Sequence, residues 1–312
     1  MTRENSGQHS TTLQLALAAQ AKFWPEPKTD VGVIAPGWVT ASAIFGDSAA
    51  VDDLLAYQTE FTPDLDRKGQ AAYLITEYSY MFAITAAAPF VGFGLVPDFS
   101  AEKYALRFES RPVKHNGRIV QERLARVRFL EPKVVTDNQA FAGDPDTLEF
   151  VDRAALCERL RVATEAHFKP LVEVLHAKSR LSRNALWRLV GDSLAVLFLD
   201  AGQRFGRVED AKAAGLAILK QEGSPLANRQ MHFFDIAVRD EEDPEQIVLS
   251  RTFRARGGCC RFYTVEGGHL CSTCVLQDPV ERDIKLENKL RQRLGLRPLV
   301  AGTGVANPDT PV

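Results

Sequence analysis

The sequence contains none of the short signatures that announce nucleotide or hydrolytic chemistry. G-x-G-x-x-G, a Walker loop, G-x-S-x-G and H-E-x-x-H are all missing, so no segment is built to cradle a phosphate, present an activated serine or hold a zinc ion on a helix. An excess of either charge is missing too. Thirty-eight basic residues face 40 acidic ones, for a net charge of -2, which leaves no global field to attract nucleic acid or an anionic membrane. The longest apolar stretch, Met81 to Val96, is 16 residues and is broken by Pro89, Gly92 and Gly94. It falls short of the roughly 20 residues of a spanning helix and reads as buried core. The polar start Met1-Thr2-Arg3-Glu4-Asn5 is not followed by an apolar core. No secretory leader is therefore expected, and a cytoplasmic location is, with peripheral association at the inner membrane as the alternative.

A chain of 312 residues with 45% apolar content suffices for one large core or two modest ones. The expected class is α+β, mixed helices with two β-hairpins and a cysteine loop near the C-terminus. Residues 1–30 carry Pro25 and Pro27 and read as a flexible arm, and 31–145 as a variable α+β region. Within it, Val31 to Phe99 clusters apolar residues without alternation, favouring buried helices. Tyr104, Leu106 and Phe108 then alternate with charged residues, as do Ala125, Val127 and Phe129, and Asn116-Gly117 supplies turn chemistry, so a hairpin is predicted over 104–130. Gly143-Asp144-Pro145-Asp146 reads as a linker into a region spanning 146–300. There, helical spacing links Phe168, Leu171, Val172 and Leu175, and Ser182 caps a helix with Leu186, Val190, Leu194 and Leu197 on one stripe. A third helix is expected over 208–221 and a second hairpin over 231–238 and 246–253. After the cysteines, Ile284, Leu290 and Leu294 mark a charged helix, and 301–312 reads as a disordered tail. No internal repeat is evident.

Sulfur is scarce, at five cysteines and three methionines, and its distribution is uneven. Cys259, Cys260, Cys271 and Cys274 fall in the pattern C-C-x10-C-x2-C. Disulfides are disfavoured in a reducing compartment, and adjacent cysteines pair only under severe strain. That leaves metal. A structural zinc site needs only four thiolates, but zinc knuckles usually come as two C-x2-C pairs and only Cys271–Cys274 has that form. Spacing favours iron–sulfur and leaves zinc open. Cys157, among Ala154, Ala155 and Leu160, reads as a buried small hydrophobe.

The stretch Arg256-Gly257-Gly258-Cys259-Cys260-Arg261-Phe262-Tyr263 with Cys271-Ser272-Thr273-Cys274 resembles the C-terminal [2Fe-2S] motif of FhuF-type ferric siderophore reductases. Leu181 to Trp187, running on to Asp192-Ser193-Leu194-Ala195, resembles the helical signature that precedes the motif. The resemblance covers roughly 170–280, with the motif itself at about 251–280. It implies a [2Fe-2S] cluster on the four cysteines and an oxidoreductase acting on metal ions, passing one electron to Fe(III) held by a siderophore, most readily a hydroxamate. The electron donor would be a separate protein or reductant, and docking to an inner-membrane siderophore transporter is a further implied contact. An electron relay or redox sensor without a chelate substrate, and a four-cysteine zinc module, are the alternatives. A siderophore synthetase, which also shares a FhuF-like region, is disfavoured by the chain's length and by its cysteines.

Four arginines, Arg251, Arg254, Arg256 and Arg261, surround the first cysteine pair with no acid between 251 and 265. Arg256 and Arg261 are the candidates for docking substrate or donor, with a solvated strand face as the alternative for the arginines; Trp187 reads as helix core, with a wall of the chelate pocket as its alternative. Gly257, Gly258, Gly267 and Gly268 are expected either to bring backbone N–H groups toward sulfur or to serve as ordinary turn residues. Phe262 and Tyr263 are expected to shield a cluster from water, and His269 to stay outside the ligand set.

Overall fold

A computed structural model describes residues 10–115 and 117–299. The expected tail at 301–312, the first nine residues and the turn residue Asn116 lie outside the described residues.

Thr11 opens the first helix, α1 (Thr12–Phe23), by accepting from the Gln14 N–H while Gln14 returns a bond to the Thr11 N–H, a closed capping box. For the described part of the expected flexible arm 1–30, residues 10–30, the expectation is overturned here. Leu13, Ala16 and Leu17 are buried in the main core, each leucine contributing about 2 kcal/mol, and the Trp24 indole N–H donates to Asp200 at 3.0 Å. The strands β1 (Lys28–Val31) and β2 (Val39–Thr40) precede the short helices α2 (Ala41–Gly46) and α3 (Ser48–Tyr57). The long helix α4 (Arg67–Ala87) follows, continued by a π-helical turn over Ala88–Phe93. That composite helix is the one long and apolar enough to cross a membrane among the described residues, and 83% of its apolar window is buried inside the protein. The 81–96 run is therefore core, as expected from its interruptions. Gly94, at φ +69°, ends it, and a Cβ there would meet Asp137 Oδ1 at 2.2 Å.

After β3 (Leu95–Pro97) come the two long strands β4 (Tyr104–His115) and β5 (Arg118–Phe129), paired antiparallel in unbroken register from Tyr104–Phe129 to His115–Arg118. Gly117 has φ +79°, the positive angle a tight hairpin requires. The sheet order is β1-β5-β4-β2, with β1 parallel to β5. A second sheet joins β3 to β6 (Val134–Thr136) and β7 (Thr147–Phe150). The intervening Gly143–Asp146 segment is tied down rather than a free linker: Thr12 Oγ1 donates to Asp144 at 2.6 Å and Lys133 pairs with Asp146 at 3.0 Å.

Three helices follow as the periodicity predicts: α5 (Arg153–Ser179), α6 (Arg183–Phe205), whose N-cap Ser182 accepts from Ala185 N–H, and α7 (Val208–Leu219). Ser79 of α4 donates to Ser193 of α6 at 2.8 Å inside the protein. One continuous core runs from Leu13 to Met231, so the regions expected as 31–145 and 146–300 are packed as one body. The second hairpin, β8 (His232–Arg239) with β9 (Ile247–Ala255), and helix α8 (Pro279–Arg293) have a small core of their own, Ile236, Val238, Leu286 and Leu290. The cysteine loop spans the gap between β9 and α8.

Within the main core His167 is fully buried. Its Nδ1–H donates to the Phe99 carbonyl at 2.7 Å, so in the neutral ring Nε2 accepts from the Tyr78 hydroxyl, also at 2.7 Å. Burial lowers its pKa to about 4, partly opposed by the Phe99 bond. The unfolded chain takes up a proton near pH 6.5 and the folded one only near 4. Stability is accordingly full above 6.5 and falls as pH drops through that window, by up to about 3 kcal/mol. Denaturant titrations at pH 7 and pH 4.5 should show this loss, and His167→Leu, while less stable at pH 7, should lose less between the two.

Candidate metal centre

Arg256 leaves the end of β9 and its N–H bonds the Thr273 carbonyl at 3.1 Å, closing the cysteine loop at its base. Between these points the chain makes two tight turns. At the first, Arg261 adopts φ +66°, a left-handed conformation costing about 1–2 kcal/mol for a residue with a Cβ. Its N–H is thereby turned onto the Cys259 sulfur at 3.4 Å. Strain of this kind concentrates at functional sites. At the second, Cys274 N–H bonds the Cys271 carbonyl at 3.0 Å, and the Gln277 side chain donates to the same carbonyl at 2.6 Å. Asp278 then caps α8 by accepting from Val280 and Glu281 N–H groups.

The four cysteines are neighbours. Arg256 Nη1 lies 3.7 Å from the Cys260 sulfur and 3.6 Å from the Cys271 sulfur. Burial raises the Cys274 pKa, and the adjacent Cys271 and Cys259 sulfurs add to the shift while the Leu276 N–H opposes it. Cys274 is buried and the other three are partly exposed. The sulfurs do not close on one point: among the described residues no three His, Cys, Asp or Glu side chains surround a single metal position. Cys157 stands apart, buried on α5, as expected of a small hydrophobe.

A carboxylate that sequence reasoning did not single out holds the loop. Asp192, on α6 and only 2% exposed, accepts from the Gly257 N–H at 2.9 Å and the Gly258 N–H at 3.0 Å. Its oxygens also face Arg256 at 3.3 Å and Arg254 at 3.5 Å. These two glycine N–H groups therefore serve Asp192 and not sulfur, correcting the first of the two expectations for them. Burial alone would lower the Arg256 pKa; Asp192, Cys260 and Cys271 outweigh it and raise it. Burial lowers the Arg254 pKa, with Asp192 opposing. Sequence gave one signal for this carboxylate: four arginines without an acid between 251 and 265 need their counter-charge from another element.

The N-terminal half reaches the loop as well. Asp66 pairs with Arg261 at 2.9 Å, and Asp64 accepts from the Glu266 N–H at 2.6 Å. Both lie in the connection from α3 to α4. On α4 itself, burial, then the nearby Cys260 and Asp64, push the Tyr73 phenol up to about 12. The Thr62 side chain offsets part of that shift, yet no hydrogen bond closes on the buried Tyr73 hydroxyl among the described residues.

The predicted docking residues fare differently. Trp187 is 7% exposed within the main core, in keeping with the core reading. Arg256 faces inward to the sulfurs. Arg261 stays partly exposed but is engaged by Asp66. Tyr263 is 45% exposed and points away from a shielding role, while Phe262 packs edge-on against His269 at 5.0 Å.

Four soft thiolates with a guanidinium between two of them, and no hard oxygen donor in the group, fit an iron–sulfur cluster better than any hard cation. Comparison with curated proteins returns no match. Residues 256–276 match the family model described as the FhuF 2Fe-2S C-terminal domain. Over these residues the chain is similar to the FhuF-type C-terminal domain, and the cofactor that the description of that domain names is a [2Fe-2S] cluster.

Proposed function

We propose that the chain is a ferric-siderophore reductase in which Cys259, Cys260, Cys271 and Cys274 hold the cluster and an electron passes to chelated Fe(III). The observation that carries this reading is that the four cysteines lie together within the matched segment, Cys260 and Cys271 on either side of Arg256 and the Cys259 and Cys271 sulfurs beside Cys274. When bound, the cluster supplies reversible one-electron chemistry. Everything else falls to the chain. Asp192 fixes the loop against α6; Arg256 places a positive charge between two sulfurs, stabilising them as thiolates; and the partial exposure of Cys259, Cys260 and Cys271 keeps the centre within reach of a docked partner. The substrate is a ferric chelate with hard oxygen donors, a hydroxamate in the first instance, because such ligands grip Fe(III) more firmly than Fe(II). The electron comes from a separate protein or soluble reductant, and the setting is the cytoplasm.

One observation favours a second reading, an electron relay without a chelate substrate: the basic and aromatic candidates for docking a chelate, Arg256 and Trp187, are turned inward. Anaerobically purified protein separates the two. About two irons and two sulfides per chain, with the reduced visible spectrum reverting on addition of a ferric hydroxamate, supports the reductase. Reversion only with a protein acceptor supports the relay. Colourless, zinc-loaded protein that resists reconstitution overturns both.

A further inference from the structure

We propose that the cavity between α3, α4 and the β4–β5 hairpin binds a small lipophilic cation, a primary amine carried on an apolar body. The cavity measures about 220 Å³ and lies in the N-terminal half. A site of 150 Å³ accommodates benzene, so this one takes a single ring with a short chain. Five of its lining residues are aromatic, Phe45, Tyr57, Tyr78, Tyr80 and Phe108, and Glu77 opens into it.

Charge decides the class of ligand. The charged residues of the wall are two carboxylates, Glu26 and Glu77, and one arginine, Arg123. Arg123 is already committed: Asp53 receives its guanidinium at 2.6 and 3.2 Å, and its plane lies 4.6 Å over the Tyr57 ring. Glu77 has one hydrogen-bond partner, the Gln58 amide at 3.0 Å. Glu77 stands at the rim of the cavity, with part of the residue open to solvent; desolvation of its carboxyl raises the pKa, against the opposing effects of Gln58 and Arg123, and among the described residues no cation is ion-paired with it. Aromatic faces with a carboxylate at one end are the recognition elements of an ammonium group. A carboxylate ligand would meet Glu77 and Glu26 as like charges, and a neutral alcohol would leave Glu77 without a cation.

The site also has a position relative to the cysteine loop. Glu77 follows Tyr73 by four residues on α4, roughly 6 Å along the helix, and the Tyr73 phenol is the one that feels Cys260. A ligand at Glu77 would therefore occupy the next turn of the helix that backs the cysteine loop.

The test is calorimetric titration of the full-length holoprotein with 2-phenylethylamine, 2-phenylethanol and 3-phenylpropionate. The amine should bind at least tenfold more tightly than the alcohol or the acid, and its ring protons should show nuclear Overhauser contacts to the Met81 methyl. Glu77→Gln should erase the preference for the amine while leaving thermal midpoint and iron content in place. The proposal is overturned by equal affinity for alcohol and amine, by an unchanged preference in Glu77→Gln, by an amine bound without contact to Met81, or by no binding at about 10 mM. None of these readouts involves a chelate or a reduction, so the result stands apart from the reductase reading.

Discussion

Asp192→Ala is expected to leave the helical core folded and to strip the protein of its cluster. The substitution removes the acceptor of two buried N–H groups, Gly257 and Gly258, and the counter-charge of two largely buried arginines, Arg254 and Arg256. An orphaned buried donor costs about 1–3 kcal/mol, and breaking a buried ion pair about 3–5 kcal/mol. The loop carries that whole penalty, because α6 keeps its apolar contacts through Leu189, Val190 and Leu194. Iron and acid-labile sulfide should fall to below about a tenth of the wild-type amount, since 1.4 kcal/mol already makes tenfold, with little change in helical circular dichroism. Asp192→Asn retains one acceptor oxygen without the charge and should fall between the two. Full iron content in the alanine variant would show that the loop holds its shape without α6.

Gly268→Ala should be nearly as damaging, and more so than Gly257→Ala, although the two glycines look alike in sequence. A Cβ on Gly268 would stand 1.9 Å from the Phe262 carbonyl oxygen and 2.8 Å from that of Val265. Both obstacles are backbone atoms of the same loop, so the turn between the cysteine pairs must open to admit the methyl group. A Cβ on Gly257 would stand 1.8 Å from Asn228 Nδ2, an equally short contact but with a side chain that can rotate away. Asn228 is buried and its Oδ1 accepts from the Gln230 N–H, so the rotation costs about 1–3 kcal/mol, the usual range for overpacking. Reconstitution with iron and sulfide should therefore fail in Gly268→Ala and succeed in part in Gly257→Ala. Equal yields from both would mean that the loop is pliable and that its glycines are ordinary turn residues.

The elements that announced themselves in sequence are those whose pattern is local. Alternation in Tyr104 to Phe108 and Ala125 to Phe129, the heptad-like stripe from Leu186 to Leu197, and the cap at Ser182 all depend on neighbours a few residues away, and each matches an element of the fold. The N-terminal helix is not legible locally: Pro25 and Pro27 flag the loop after α1, whereas the burial of Leu13 and Leu17 depends on helices far along the chain. At the metal centre the cysteines were legible because four thiolates in one short window have few uses. Their supports were not. Asp192 precedes Gly257 by 65 positions, Asp64 and Asp66 lie 202 and 195 positions from their partners, and a lone carboxylate on a helix carries no local mark of burial. Trp187 and Arg256 point inward for the same non-local reason: which face of α6, and which side of the segment leaving β9, meets the core is settled by packing.

The matched segment, residues 256–276, is short, and its contacts reach well outside it to Asp64, Asp66, Tyr73, Asp192 and Asn228. The four thiolates are thus not a portable cassette. Transplanted onto another scaffold, the segment would bring its ligands without the counter-charges and backbone acceptors that hold them together. In this chain the centre depends on two distances at once: the spacing of the cysteines along the loop, and the remote acids Asp66 and Asp192 that face its arginines.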